Sequence, residues 1–201
     1  MNKEKNMKLA ILSGTFDPIH KSHISLAEYV YNKFEYDKIL IIPAHKPPLK
    51  NNSAKAEHRY KMTELAAKNH SFLEVSDIEF QNNGKSYTIL TLKELYKKYQ
   101  PKGKIGFIIG TDAYINLPKW YCTEELKDLA EFILFERDIP FSDERIKKLQ
   151  NDGYKITTTQ LPFKDISSTE IRKKVYNNEN ISEYVTKEVE EYIKKYELYK
   201  D

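Results

Sequence analysis

Short apolar runs alternate along this chain with segments of helical periodicity. The apolar runs occupy residues 9–12, 38–43, 105–110 and 131–136, and turn-forming residues bound each of them. Helical patterns lie between the runs at 22–34, 54–69, 88–99 and 123–129. Nearly continuous apolar strands separated by helices are typical of a parallel sheet covered on both faces. We therefore predict an α/β fold with a doubly wound parallel sheet and helices on both faces.

The length of 201 residues suits a single domain. Residues 1–6 are polar and are predicted to form an extension that adds nothing to the fold. Residues 7–201 are predicted to form one domain. Its last part, from about 166 to 201, has two helical patterns at 167–177 and 186–196 and is predicted to be a small C-terminal helical part.

Composition limits the kinds of partner. The 33 basic and 30 acidic residues nearly cancel to +3, so the charge does not demand nucleic acid. No apolar stretch approaches the ~20 residues needed to cross a bilayer, which predicts no membrane partner. The single cysteine, Cys122, excludes an internal disulfide and a cysteine zinc site. We expect a cytoplasmic protein, and the sequence does not determine its oligomeric state.

The stretch SGTFDPIHKSHI, residues 13–24, follows the first apolar run and indicates an anion site. Gly14 lets the backbone come close to a ligand, and a helix that begins near Ser22 presents free N–H groups. His20 and His23, three residues apart, project from the same side of that helix and can donate to phosphate. A helix cap with two satisfied histidines is the alternative. A His-x-x-His metal site is less favoured, because only Asp17 could add a ligand.

A second candidate site is ISSTEIRKK, residues 166–174. Ser167 with Glu170 three residues later forms the pattern of a capping box, so a helix begins here. Arg172 then follows near the positive end of the helix dipole, where a cation is unfavourable unless an anion binds. We expect an anion between Ser168, Thr169 and Arg172. The alternative is a basic helix whose charges are only solvated.

Polar and aromatic residues follow two more of the predicted strands. In IIGTDAYINLPKWY, residues 108–121, Gly110 ends a strand, Asp112 is a candidate acceptor for a ribose or base, and Trp120 could stack on a flat ring. A helix cap and a core tryptophan are the alternatives. The loop PAHKPPLK, residues 43–50, carries Lys50 and follows a strand, where functional loops lie in this architecture. In GKSYTILTL, residues 84–92, Thr88 can cap a helix or contact a ligand.

Together these stretches resemble the nucleotidyltransferases that carry an H-x-G-H signature, and most closely the bacterial nicotinate-nucleotide adenylyltransferases. The matching segments occur in the family's order along the chain: GTFDPIHKSH, IIPAHKPPLK, HRYKM, SYTILTL, FIIGTDAYINLPKWY and ISSTEIR. The resemblance implies a Rossmann-like α/β fold. Ser22 stands where the signature has glycine, and Ala44 and Leu49 stand where the loop pattern has asparagine and histidine.

The resemblance also implies roles for individual residues. His20, His23 and Arg172 are implied as catalytic. The implied ATP-binding residues are Ser13, Gly14, Thr15, Phe16, His20, His23, Gly110, Asp112, Ile166, Ser168 and Arg172. The implied mononucleotide-binding residues are Ala44, Lys50, Tyr87, Thr88 and Trp120.

The function implied by the resemblance is transfer of AMP from ATP to nicotinate mononucleotide, which gives deamido-NAD and pyrophosphate in NAD biosynthesis. Mg²⁺ is expected to accompany ATP, with no dedicated protein metal site. Two other classes remain open from the residues. One is a sibling adenylyltransferase that acts on nicotinamide mononucleotide or phosphopantetheine. The other is a non-catalytic nucleotide-binding module.

Overall fold

The computed structural model describes residues 6–46, 54–81, 87–136, 141–160 and 166–200, without the side chain of Asp112. A six-stranded sheet forms its centre, with the strand order β3-β2-β1-β4-β5-β6 and all neighbours parallel. The strands are β1 (Leu9–Gly14), β2 (Lys38–Pro43), β3 (Leu73–Val75), β4 (Ile105–Gly110), β5 (Ala130–Phe135) and β6 (Ile156–Thr159). This order is that of a Rossmann-like doubly wound sheet, and the predicted fold class is confirmed.

Helices connect the strands and cover the sheet. They are α1 (Lys21–Phe34), α2 (Ala56–Ala67), α3 (Thr88–Tyr99), α4 (Thr111–Tyr114), α5 (Thr123–Leu129), α6 (Asp143–Asn151), α7 (Ser168–Tyr176) and α8 (Lys187–Lys195). A short 3₁₀ helix, Leu117–Lys119, lies between α4 and α5. The helices α4 and α6 and the 3₁₀ helix had not been predicted from periodicity. The predicted starts of α1 and α2 lie one and two residues from the observed ones.

Each strand sends alternate side chains to two separate apolar clusters, as a sheet covered on both faces requires. On one face, Ala10 and Leu12 of β1 pack in a cluster with residues of α1, α2, α7 and α8. On the other face, Leu9 and Ile11 pack with residues of α3, α4, α5 and α6. The near-continuous apolar pattern of β1 is thus explained by burial on both sides.

The two edge strands, β3 and β6, were missed by the sequence prediction. β3 has only three residues, Leu73–Val75, which is too short to produce an apolar run. β6 is ITTT, and its two central threonines are exposed. An edge strand has one neighbour instead of two and is covered less completely, so it carries a weaker apolar signal.

The C-terminal helices pack onto the same sheet face as α1 and α2. Val185, Val189 and Ile193 are buried in that cluster, whereas Tyr196, at the end of the predicted helical pattern, is 46% exposed. The predicted division into an extension at 1–6 and a single domain at 7–201 stays a prediction. None of the helices in the described ranges has the length and apolar character to span a membrane.

The centre of the sheet is a topological switch point. β1 and β4 are neighbours, but the chain leaves β1 towards β2 on one side and leaves β4 towards β5 on the other. Connections that diverge in this way leave a crevice beyond the carboxyl ends of the two strands, where ligands bind in such folds. Gly14 ends β1 and Gly110 ends β4, so both lie at the mouth of this crevice.

Candidate active site

The crevice at the switch point holds a cavity of about 390 Å³. Seven residues of the predicted ATP-binding set line it: Ser13, Gly14, Thr15, Phe16, His23, Gly110 and Ser168. Thr88 and Trp120 of the predicted mononucleotide-binding set line the same cavity. Four of the stretches singled out in the sequence therefore meet around one space, as expected for a site that brings two substrates together.

The two histidines form one aromatic stack. Their ring centroids are 3.6 Å apart, and the ring of Phe16 meets the ring of His23 edge-on at 5.0 Å. His23 lines the cavity, whereas His20 is 3% exposed and lies against His23. The main-chain N–H of His20 donates to Nδ1 of His23 at 3.2 Å, so the neutral ring of His23 carries its proton on Nε2. His23 is thus the imidazole placed to donate into the cavity.

The start of α1 differs from the expectation of free N–H groups. α1 begins at Lys21 with His20 as its N-cap residue. The N–H of Lys21 already donates to the carbonyl of Tyr184 at 2.9 Å, and the N–H of His23 donates to the carbonyl of His20 at 3.0 Å. The prediction of free amides is wrong for these two residues: the segment before α8 supplies the acceptor for Lys21, and the N-cap residue His20 supplies the acceptor for His23. The imidazole of His23 lines the cavity, and its role as a donor to phosphate stays a prediction.

The backbone after β1 adopts a strained conformation. Phe16 has φ of 49°, in the left-handed region that bulky residues avoid, at a typical cost of about 1–3 kcal/mol. A Cβ atom on Gly14 would lie 3.0 Å from the Phe16 ring, so glycine leaves room for that ring. The close approach that Gly14 permits here is by Phe16, which also lines the cavity.

Arg172 of α7 is anchored to the segment after β1. Its Nη1 donates to the main-chain carbonyl of Asp17 at 2.7 Å and lies 3.8 Å from the Asp17 carboxylate. Its Nη2 donates to the hydroxyl of Thr169 at 3.2 Å. A bound anion is therefore not the only negative partner available to Arg172, because Asp17 already lies beside it. The reason is tertiary, since Asp17 precedes Arg172 by 155 residues.

The N-terminus of α7 has the cap residue that the sequence predicts. Ser167 is the N-cap residue, and its hydroxyl accepts from the N–H of Thr169 at 3.2 Å. Ser168 lines the cavity, and its hydroxyl donates to the carbonyl of Pro18 at 3.0 Å. Ile166 packs, half-buried, against the apolar cluster below. Ser168 and Arg172 thus both bind the backbone of the segment that joins β1 to α1.

Asp17 is a central residue that the sequence prediction did not place in the site, except as a possible metal ligand. It is buried, and its Oδ1 accepts from the N–H of Ala54 at 3.2 Å and from the hydroxyl of Tyr199 at 2.8 Å. Burial, and then the negative charge of Asp17, raise the pKa of the Tyr199 hydroxyl far above its usual range. Tyr199 therefore stays protonated and remains a donor to Asp17.

Arg59 of α2 is the second residue that was missed. It is 1% exposed, and the hydrogen bonds of its guanidinium to described residues all go to main-chain carbonyls, which include those of Thr15 and Ala44. Burial lowers the pKa of Arg59, and the charge of Asp17 opposes that shift, but arginine stays charged in proteins. The sequence held a signal, because the spacing of Arg59, Met62 and Ala66 places the arginine on the buried face of the helix.

The predicted mononucleotide side is formed by the start of α3 and by the end of the 3₁₀ helix. Thr88 begins α3, and Tyr87 is its N-cap residue. Trp120 is half-buried, packs edge-on against Phe107 at 5.7 Å and also lines the cavity. Trp120 therefore packs on the core and also borders the cavity, and its stacking on a ligand ring stays a prediction. The exposed ring of Tyr87 lies 4.8 Å from that of Tyr121.

The other predicted residues are placed less fully. Ala44 follows β2, and its N–H donates to the carbonyl of Gly14 at 2.8 Å, which ties the two loops together. Lys50 and Leu49 lie outside the described residues. Asp112 lies in α4 directly after β4, and its side chain is not described. Its role towards ribose or base stays a prediction.

Comparison with known proteins places the chain in a family. Residues 11–174 match the model of the cytidylyltransferase-like family. A protein named "Probable nicotinate-nucleotide adenylyltransferase" from Thermoanaerobacter sp. (strain X514) is 39% identical, over 98% of this chain and 96% of the relative. A protein of the same name from Staphylococcus epidermidis is 39% identical, over 98% of this chain and 99% of the relative.

Solved structures show the same fold. Nicotinic acid mononucleotide adenylyltransferase of Plasmodium falciparum, complexed with NaAD, superimposes with a TM-score of 0.80 at 23% identity, over 96% of this chain and 98% of that one. The same enzyme complexed with APC gives a TM-score of 0.77. The resemblance seen in the sequence motifs is thus confirmed over nearly the whole length: the chain belongs to the cytidylyltransferase-like family and, within it, to the nicotinate-nucleotide adenylyltransferases.

Proposed function

We propose that this protein transfers AMP from ATP to nicotinate mononucleotide and releases pyrophosphate and deamido-NAD. The observation that carries the proposal is the single cavity at the switch point. His23 and Ser168 line it together with Thr88 and Trp120, so groups suited to phosphate and groups suited to a pyridine ring share one space. The full-length relationship to nicotinate-nucleotide adenylyltransferases supports the same substrates.

The reaction needs alignment more than acid–base chemistry. The 5′-phosphate of the mononucleotide attacks the α-phosphorus of ATP, a new P–O bond forms, and the bond from the α-phosphorus to the bridging oxygen of pyrophosphate breaks. The attacking phosphate is already an anion, so no general base is required. Catalysis then depends on holding the reacting atoms in line and on stabilising negative charge as it develops.

The residues of the cavity and those packed beside them divide this work. Nε2–H of His23 donates to the phosphates of ATP, and His20 supports the ring from behind by stacking on it. Arg172, anchored on Asp17, and Ser168, at the first turn of α7, stabilise the leaving pyrophosphate. Trp120 stacks on the pyridine ring, and Thr88 contacts that ring from the start of α3.

Mg²⁺ accompanies the triphosphate in this proposal and neutralises part of its charge. Among the residues that the structure describes, no group of three or more His, Cys, Asp or Glu side chains is arranged to hold a metal ion. Among the described residues that line the cavity Asp17 is the acidic one, and it already binds Ala54 and Tyr199. These residues fit an ion held mainly by phosphate oxygens and water.

Pyrophosphate release from ATP tests the proposal when nicotinate mononucleotide, nicotinamide mononucleotide and phosphopantetheine are compared side by side. We expect the highest kcat/KM with nicotinate mononucleotide, and mass spectrometry should identify the product as deamido-NAD. Faster turnover with either of the other acceptors would assign the chain to a sibling activity. Binding of ATP without any release would make it a non-catalytic nucleotide-binding module. A cytoplasmic location stays a prediction.

A further inference from the structure

The guanidinium of Arg59 binds the backbone of two substrate-binding segments at once. Its Nη1 donates to the carbonyls of Thr15 and Ala44, at 2.7 Å each. Its Nη2 donates to the carbonyl of His45 at 3.2 Å, and its Nε donates to that of Ala54 at 3.0 Å. Thr15 belongs to the segment after β1, and the other three residues belong to the segment between β2 and α2.

These contacts orient the peptide groups of both segments. In a trans peptide the carbonyl of one residue and the N–H of the next point in opposite directions. Because Arg59 holds the carbonyl of Thr15, the N–H of Phe16 is turned away from the buried guanidinium. The same reasoning applies to the N–H of His45, which shares a peptide plane with the carbonyl of Ala44. Arg59 thus sets the direction of donors in both segments.

The contacts also hold a strained backbone in place. Phe16 follows Thr15 directly and has φ of 49°. A residue persists in that region only when its surroundings determine its conformation strongly. The Thr15 carbonyl, held at 2.7 Å by a buried charged donor, provides such a constraint immediately before the strained residue.

We propose that Arg59 is a positioning residue for both substrates, which fixes the ATP-binding segment after β1 relative to the mononucleotide-binding segment after β2. The proposal rests on the function proposed above. Arg59 is not one of the described residues that line the cavity. It acts by keeping the α-phosphorus and the attacking phosphate at the distance and angle that in-line transfer requires.

A planar guanidinium suits this task, and lysine does not. Arginine presents five N–H donors in a rigid fork, and Arg59 uses four of them on four different carbonyls. The ammonium group of lysine carries its three donors on one nitrogen, so it cannot reach carbonyls that lie on opposite sides of a guanidinium. Arg59→Lys therefore keeps the charge and loses the geometry.

The test compares Arg59→Lys and Arg59→Gln with the matched control Thr63→Val. Thr63 is buried in the same helix, and its hydroxyl donates to the main-chain carbonyl of Arg59 at 2.8 Å. Its replacement weakens α2 without touching the guanidinium. For each protein, kcat and both Michaelis constants are measured below the melting temperature. Affinity for ATP alone and for nicotinate mononucleotide alone is measured by calorimetry.

We expect both Arg59 variants to raise the two Michaelis constants together and to lower kcat/KM by about 100-fold, the effect of a displacement of about 1 Å. Thr63→Val should lower the melting temperature and leave both Michaelis constants unchanged. In Arg59→Gly, added guanidinium chloride at low concentration should restore part of the activity, and sodium chloride at the same concentration should not.

Three results would overturn the positioning role. They are Arg59 variants with unchanged Michaelis constants, a kinetic loss in Thr63→Val as large as that in Arg59→Lys, and loss of the fold in both Arg59 variants. The last result would assign Arg59 to folding alone. Failure of the proposed function would be distinguishable from these results. In that case the protein without any substitution would release no pyrophosphate with nicotinate mononucleotide. Calorimetry would still show whether Arg59 affects the binding of ATP.

Discussion

The main-chain N–H of His20 donates to Nδ1 of His23 at 3.2 Å, so the two nitrogens of one imidazole have separate tasks. Nδ1 caps the start of α1, and Nε2 carries the proton that can be donated to a phosphate. One side chain therefore serves both the helix and the cavity. Substitutions that imitate one nitrogen at a time can separate these two tasks.

Asparagine at position 23 places an oxygen near the position of Nδ1, and glutamine places a polar atom near that of Nε2. We expect His23→Asn to keep the melting temperature and to lower kcat by about 10²–10³-fold, the usual cost of losing one donor to a developing charge. His23→Gln should melt earlier and keep more turnover. Steady-state kinetics and thermal melts of both variants provide the measurement. Equal kcat in His23→Asn and the unaltered protein would leave His23 with a capping role only.

Arg172→Ala is expected to affect both stability and ATP binding. The variant loses the hydrogen bond to the Asp17 carbonyl, and a bond that involves a charged group contributes about 1.5–3 kcal/mol to the free energy of unfolding. It should therefore melt earlier without ligand, and its Michaelis constant for ATP should rise because the pyrophosphate end loses a cation. Arg172→Lys should recover part of both effects. A raised Michaelis constant with unchanged melting would show that the Asp17 contact contributes no stability.

Trp120 is the only tryptophan, so its fluorescence reports on one place in the cavity. Nicotinate mononucleotide should quench it, and ATP alone should change it less. Trp120→Ala should weaken mononucleotide binding by roughly 1–3 kcal/mol, the range for stacking between a base and an aromatic side chain. Trp120→Phe should recover part of the affinity. Excitation at the red edge of the tryptophan absorption band limits the contribution of the 15 tyrosines. Absence of any quench on titration would reject the stacking role.

Tyr199 gives the free energy of unfolding a dependence on alkaline pH. Its folded-state pKa is raised above the unfolded value of about 10, so the folded state keeps a proton that the unfolded state releases. The stabilisation is fully present below about pH 10 and is lost above it, at about 1.4 kcal/mol per pH unit. Tyr199→Phe should be less stable near pH 8, and the difference should shrink above pH 10. Urea unfolding across this range measures it, and a constant difference would contradict the assignment.

The interior of the sheet was predictable because it is covered on both faces. The four predicted strands became β1, β2, β4 and β5, the inner strands of the sheet. Burial on both sides forces nearly every position to be apolar, and that pattern is visible in one sequence. The edge strand β6, with two exposed threonines, lacks that constraint and was missed.

The candidate site was predictable where a local pattern identifies a strand end or a helix start. His23, Gly110, Ser168 and Trp120 all follow such patterns, and all line the cavity. Their roles towards substrates stay predictions. Ser167 was identified as the cap of α7 from its own neighbours, and the structure confirms it.

What the sequence alone determined is therefore local or repeated: the buried strands, the helix starts and the motifs of the family. What only the tertiary structure decided are contacts between residues far apart in the chain. Asp17 binds Tyr199 across 182 residues, and Arg59 joins the backbone at Thr15 to that at Ala44. The position of a single aspartate or arginine in the sequence forms no periodic pattern that would identify its hydrogen-bond partner. Such a buried charge becomes favourable only when folding brings its hydrogen-bond partners to it, and the sequence does not show which carbonyls these will be.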